Sequence, residues 1–151
     1  MKPFDLLFYK GNSIVSKVIK YFTGSTYSHV GLVLDGLHIV EIDWKFPLKI
    51  RHLKYNSRNY DIYRIDNLNE KQKEKMLEFV NFKLNTEYDH WENIRFLLWK
   101  FFKIKTKDDI DKFNCIEFIV DCFKYAGISL SDKDIVSFDD LINSGMLIKI
   151  E

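Results

Sequence analysis

From His29 to Asp43 the chain reads HVGLVLDGLHIVEID, two apolar and β-branched runs on either side of Asp35-Gly36. No other stretch restricts the fold as strongly, because Asp-Gly between alternating apolar runs is the best short-range signal for a β-hairpin. A hairpin fixes an antiparallel pair, and its loop length then decides which side chains share a face. A strict two-residue turn would set His29 opposite Ile42 and Glu41 opposite Val30 on the other face. A loop of three or five residues, with Gly36 left-handed or bulged, would put Glu41 opposite Gly31 and diagonal to His29, with room left by the glycine. Asp43 would then lie directly across from His29. Residues 29, 41 and 43 are therefore the positions where loop parity has chemical consequences.

The flanking sequence supplies the partners such a hairpin needs. Residues 4–10 alternate as a strand, and Gly11-Asn12-Ser13 then leads into a helix with Ile14, Val15, Val18, Ile19 and Phe22 at helical spacing, stopped by Gly24. The basic, aromatic segment from Pro47 to Asn59 reads as a connection with room for a short strand, and 60–65 resumes strand alternation. Asn69 precedes an amphipathic helix ending near Asn85, and Trp91–Phe102 carries an aromatic stripe at helical spacing. Asn114 caps a further helix that ends at Gly127, and the tail GMLIKI reads as a last strand. With 151 residues, 46% of them hydrophobic, one core suffices. The expectation is a single α+β domain over 1–151, an antiparallel sheet packed by helices.

Charge and cysteine usage narrow the function classes. A net charge of +1 from 23 basic and 22 acidic side chains gives no field that would recruit nucleic acid. No apolar run approaches bilayer-spanning length, and the first ten residues, interrupted by Asp5 and Lys10, do not read as a secretory signal. A cytoplasmic protein without a transmembrane segment is expected. Cys115 and Cys122 are about two helical turns apart, roughly 10 Å, too far for a disulfide. Four scattered histidines give no metal spacing, so neither a metal nor another cofactor is expected.

Of the two thiols, Cys115 sits in the first turn of its helix, where unpaired N–H groups and the helix dipole favour a thiolate. Phe118, Ile119, Cys122 and Ala126 share its face, which should turn the thiol toward the sheet. Cys122, mid-helix among apolar neighbours, reads as a small buried hydrophobe.

The segments SHVGLVLD, HIVEID, TEYDHW and NCIEFIVDCFKYAG occur here in the order that resembles the permuted papain-like cysteine enzymes. That group comprises YiiX-like and other permuted NlpC-type amidases and peptidases, and the lecithin:retinol acyltransferase-like proteins. The resemblance spans roughly residues 4–130 and implies a circularly permuted papain-like (NlpC-type) fold. It implies Cys115 as nucleophile, His29 as general base and Glu41 as the group that orients the imidazole, with Asp43 as substitute. On this basis the odd-length hairpin loop is expected, since a two-residue turn would part Glu41 from His29. An oxyanion would be held by the Cys115 N–H and a second donor, for which Tyr27 is the candidate; Asn114 joins it as a substrate-positioning residue.

The implied reaction is hydrolysis of an amide bond, or less readily an ester or thioester, through an acyl-thioester. Peptides and N-acyl or lipid-like small molecules are the implied substrates. Lipid acyl transfer, as in the lecithin:retinol acyltransferase branch, is the alternative enzyme reading; that branch tends to carry a second histidine where this chain has Glu41. A non-catalytic peptide- or lipid-binding module is the alternative outside enzymes. His38 and His52 read as surface residues, His90 is less clear, and Glu117 reads as a first-turn acid. Residues 91–107 are a candidate for membrane-surface contact, although core packing is the commoner role of such a stripe.

Overall fold

In the computed structural model, which describes residues 1–43, 45–84 and 114–150, the strand runs close into one antiparallel sheet. Strands β1 (Leu6–Tyr9), β2 (His29–Val33), β3 (His38–Asp43), β4 (Phe46–His52), β5 (Tyr60–Arg64) and β6 (Ile148–Lys149) lie in the order β4-β3-β2-β1-β5-β6. The β2–β3 register pairs Leu32 with Val40 and Val33 with Ile39. Leu34 N–H donates to the His38 carbonyl at 2.9 Å, which leaves Asp35, Gly36 and Leu37 as an odd, three-residue loop.

The reason for that loop differs from the expected one. Gly36 is not in the left-handed region. The turn is held instead by the Asp35 carboxylate, which accepts from the Leu37 and His38 backbone N–H groups at 2.7 and 2.8 Å and faces the His38 ring at 2.9 Å. This is the local side-chain closure that aspartate offers in turns. The connection expected from Pro47 to Asn59 holds the strand it left room for, but that strand is seven residues long and starts before the proline, at Phe46; β4 tolerates Pro47 because it is an edge strand.

Side-chain alternation divides the core between the two faces of the sheet. Leu6, Phe8, Val30, Leu32, Val40 and Ile42 pack with helices α2 (Glu70–Lys83) and α3 (Cys115–Tyr125) through Met76, Phe79, Phe118, Ile119 and Cys122. Leu7, Val33, Ile39 and Ile62 form a smaller cluster on the other face, flanked by Leu53, Tyr55 and Tyr60. A short helix α4 (Phe138–Ile142), not expected from the sequence, inserts Phe138 and Leu141 into the main core. Capping boxes at Asn69–Gln72, Asn114–Glu117 and Ser137–Asp140 satisfy the orphan N–H groups that open these three helices.

Helix α1 (Ile14–Thr23) forms where expected, between Ser13 and a left-handed Gly24, but it is turned the unusual way. Its buried residue is Ser16, while Ile14, Val15, Val18 and Tyr21 are exposed. The expectations for residues 86–91, His90, the aromatic stripe 91–102 and the membrane contact at 91–107 fall outside the described residues.

Candidate active site

The site forms where the head of β2 meets the first turn of α3. Tyr9 pairs with His29 and Phe8 with Val30, so His29 is held at the very end of a central strand. By alternation His29, Gly31 and Glu41 belong to the face opposite Val30, Leu32, Val40 and Ile42, the face away from α3. The imidazole therefore approaches Cys115 at the end of the sheet, not across its packed face as the helical periodicity had suggested.

His29 Nε2 lies 2.9 Å from Glu41 Oε2, and both side chains are largely enclosed, at 15% and 17% exposure. This contact leaves Nδ1 as the ring nitrogen available to a thiol. Burial by itself pushes the imidazole pKa down; the neighbouring Cys115 sulfur and then the Glu41 carboxylate outweigh it and take the group up to about 10. The ring is thus held as imidazolium at neutral pH. Burial likewise opposes ionisation of Glu41, but the His29 hydrogen bond, the imidazolium charge and Arg51 together hold its carboxyl below the usual range.

Arg51 is the site residue that the sequence reading missed. Its Nη1 donates to Glu41 Oε1 at 3.1 Å, so the two carboxylate oxygens are divided between an imidazole and a guanidinium. The β3–β4 register pairs Ile39 with Arg51 and Glu41 with Lys49, which places Arg51 diagonal to the carboxylate. Its guanidinium also lies 4.6 Å from the Phe46 ring centroid, a cation–π arrangement that limits its movement. The available signal was the alternation in FPLKIRH, obscured by reading Pro47 as the start of a connection.

Gly31 has a different use from the one expected. A Cβ there would come within 2.7 Å of Ile39 Cδ1 and 3.3 Å of the Val40 carbonyl oxygen, so the space belongs to Ile39 rather than to the carboxylate. Asp43 does not act as the imidazole's partner. It pairs with Phe46 after a register shift between Glu41 and Asp43, and its carboxylate accepts from the Lys45 N–H at 3.1 Å.

At the other side of the site, Cys115 is buried as the first residue of α3. Asn114 Oδ1 accepts from the Ile116 and Glu117 N–H groups at 2.8 and 2.9 Å, and a Glu117 carboxylate oxygen accepts from the Asn114 N–H at 3.1 Å. The cap fixes the turn that carries the thiol, and Glu117 serves it as a first-turn acid. Cys122 is fully buried, and burial pushes its thiol up to about 12.

Tyr27 takes a place that does not suit an oxyanion donor. Its hydroxyl donates its one proton to the Asp61 carboxylate and lies 3.1 Å from the Tyr63 hydroxyl, with the ring edge-on to Phe8. Burial and then the Asp61 contact push the phenol well above its ordinary pKa. Asp61 is also paired with Lys10 at 2.6 Å and Lys149 at 3.1 Å, so the cluster ties the segments that follow β1 and precede β2 to β5 and β6.

Among the described residues no group of three or more His, Cys, Asp or Glu side chains could hold a metal ion, and no helix is long and apolar enough to cross a membrane. No protein-family model matches the sequence, and no curated protein matches it. Among solved structures, the chain superposes on YiiX from Escherichia coli O157:H7, a DUF1105 protein described as a metalloprotein, with a TM-score of 0.74. The match covers 99% of this chain and 96% of YiiX at 19% identity, so the chain shares the YiiX fold.

Proposed function

We propose that this chain is a cysteine-dependent hydrolase of amide bonds, with esters and thioesters as lesser substrates, on a circularly permuted papain-like fold of the YiiX type. The observation that carries the reading is the 2.9 Å contact between His29 Nε2 and Glu41 Oε2, made at the point where β2 meets Cys115 on the first turn of α3. A buried imidazole held protonated beside a thiol, with its far nitrogen fixed by a carboxylate, is the arrangement that nucleophilic thiol catalysis requires.

In the proposed reaction the Cys115 thiolate attacks the acyl carbon and the carbonyl electrons move onto oxygen, where the Cys115 N–H at the helix start stabilises the charge. Collapse of this intermediate breaks the carbon–nitrogen bond as His29 gives its proton to the departing amine. The acyl group is now a thioester on Cys115. Water, deprotonated by His29, attacks the thioester; the acid leaves and the thiolate–imidazolium pair is restored. Glu41 keeps the imidazole in one orientation through both steps, and Arg51 keeps Glu41 ionised. A glutamate in this role, rather than a second histidine, favours hydrolysis over lipid acyl transfer.

Alkylation by iodoacetamide at neutral pH tests the reading with an internal control. Cys115 should be labelled stoichiometrically and Cys122 should not, since burial keeps the latter thiol protonated. His29→Ala should suppress labelling of Cys115 while the fold persists. Equal, slow labelling of both cysteines in the unaltered chain would refute a thiol enzyme and favour a binding module.

A further inference from the structure

Strand β4 brings more positive charge to the site than the site's own acids use. Between Asp43 and Asp61 the sequence holds Lys45, Lys49, Arg51, Lys54 and Arg58 and no acid. Register selects two of these cations. Glu41 pairs with Lys49 and Ile39 with Arg51, so Lys49 and Arg51 share the sheet face of Glu41 and His29. Arg51 gives one nitrogen, Nη1, to Glu41 Oε1. Lys49 is directly across from that carboxylate and makes no ion pair with it. Its ammonium lies 4.3 Å from the Phe46 ring centroid, and the Arg51 guanidinium lies 4.6 Å from the same ring. Lysines on an edge strand commonly deter pairing with another sheet by extending into solvent. Lys49 is half-buried instead, its charge held against an aromatic ring.

Among the described residues Lys49 has no anionic partner, Arg51 has none besides Glu41, and the Arg51 Nε and Nη2 groups donate no hydrogen bond. In the resting site proposed above, the Cys115 thiolate and the Glu41 carboxylate are matched by the His29 imidazolium and Arg51. Lys49 is then a surplus cation beside unused guanidinium donors. A carboxylate suits both, since an ammonium and a guanidinium edge each form charge-assisted hydrogen bonds with it. Strand spacing sets where that carboxylate would sit in a substrate. Strands β2, β3 and β4 are consecutive in the sheet, so Lys49 lies about two spacings, roughly 10 Å, from His29. An extended peptide rises about 3.3 Å per residue, so about three residues cover that span.

We propose that Lys49, with the remaining donors of Arg51, forms a specificity subsite for a carboxylate about three residues from the amide that is cut, which makes extended acidic peptides the preferred substrates. This rests on the hydrolase reading above. The test compares two alkylating probes on the full chain at low salt: iodoacetyl-triglycine, which ends in a carboxylate, and its C-terminal amide, with iodoacetamide as the reference for Cys115 itself. The carboxylate probe should label Cys115 about fivefold faster than its amide, an advantage that shrinks with added salt. The ratio should fall to about one in Lys49→Gln and return in Lys49→Arg, which a lysine that only protects a sheet edge would not produce. A ratio near one in the unaltered chain, or a ratio that Lys49→Gln leaves intact, overturns the subsite. Cys115 inert to iodoacetamide and to both probes would overturn the hydrolase reading alone, and binding then decides the subsite. Acetyl-triglycine, and not its amide, should shift the Phe46 and Lys49 backbone amide signals in NMR spectra of the full chain; absence of those shifts overturns the proposal.

Discussion

His29 has opposite influences acting on one proton. Burial favours the neutral ring, and two neighbours, the Cys115 sulfur and the Glu41 carboxylate, favour the charged one and prevail. Replacing Glu41 by Gln keeps the hydrogen bond but removes the carboxylate charge. The His29 titration midpoint, followed by NMR of the ring carbons, should then drop by about one pH unit or more. A midpoint unchanged in Glu41→Gln would show that the carboxylate only fills space. The residues involved were partly legible in the sequence. Cys115 at a helix start, His29 at a strand head and Glu41 on a hairpin are local patterns, whereas Arg51 comes from an edge strand whose bounds and register the proline concealed.

At the level of elements, the hairpin and the α3 cap set the site's geometry. Gly31 lets Ile39 lie across β2, so Gly31→Ala should cost about 1–3 kcal/mol by crowding the Ile39 side chain. Ile39→Val, which removes the methyl nearest the new Cβ, should recover most of that loss. Denaturant midpoints of the two single variants and the double variant measure the coupling directly; simple additivity would show that the contact is not the cause. Asn114→Ala removes the acceptor for two N–H groups at the start of α3. It should cost about 1 kcal/mol and lower Tm by about 3 °C. A Tm equal to that of the unaltered chain would mean that the cap contributes nothing measurable.

For the molecule as a whole, the shifted groups imply a pH window of stability. A histidine raised from its ordinary value to about 10 stabilises the fold fully below about pH 6.5 and loses that contribution as pH rises through 10. Glu41 and Asp61 are shifted the other way. Burial opposes ionisation of Asp61, but Lys10, Tyr27 and Lys149 hold its carboxyl below the usual range. These two groups contribute above the ordinary carboxylate range, and their contribution is lost as pH falls through their depressed values. Urea midpoints should therefore be greatest between about pH 5 and 6.5 and decline steadily toward pH 10. In His29→Ala the alkaline decline should flatten. An equally steep decline in that variant would place its origin elsewhere.

The sequence by itself determined the local elements: the Asp35-anchored hairpin, the helices opened by Ser13, Asn69 and Asn114, and the antiparallel character of the sheet. These follow from periodicity, caps and turn chemistry, which depend on neighbours a few residues apart. Tertiary structure decided which carboxylate meets the imidazole, because the contact depends on a three-residue loop, a register shift before Asp43 and a guanidinium from β4. It also decided that Tyr27 binds Asp61 and that α1 shows its apolar side outward. A helical period specifies that a side exists, but only the packing of distant segments settles whether that side is covered.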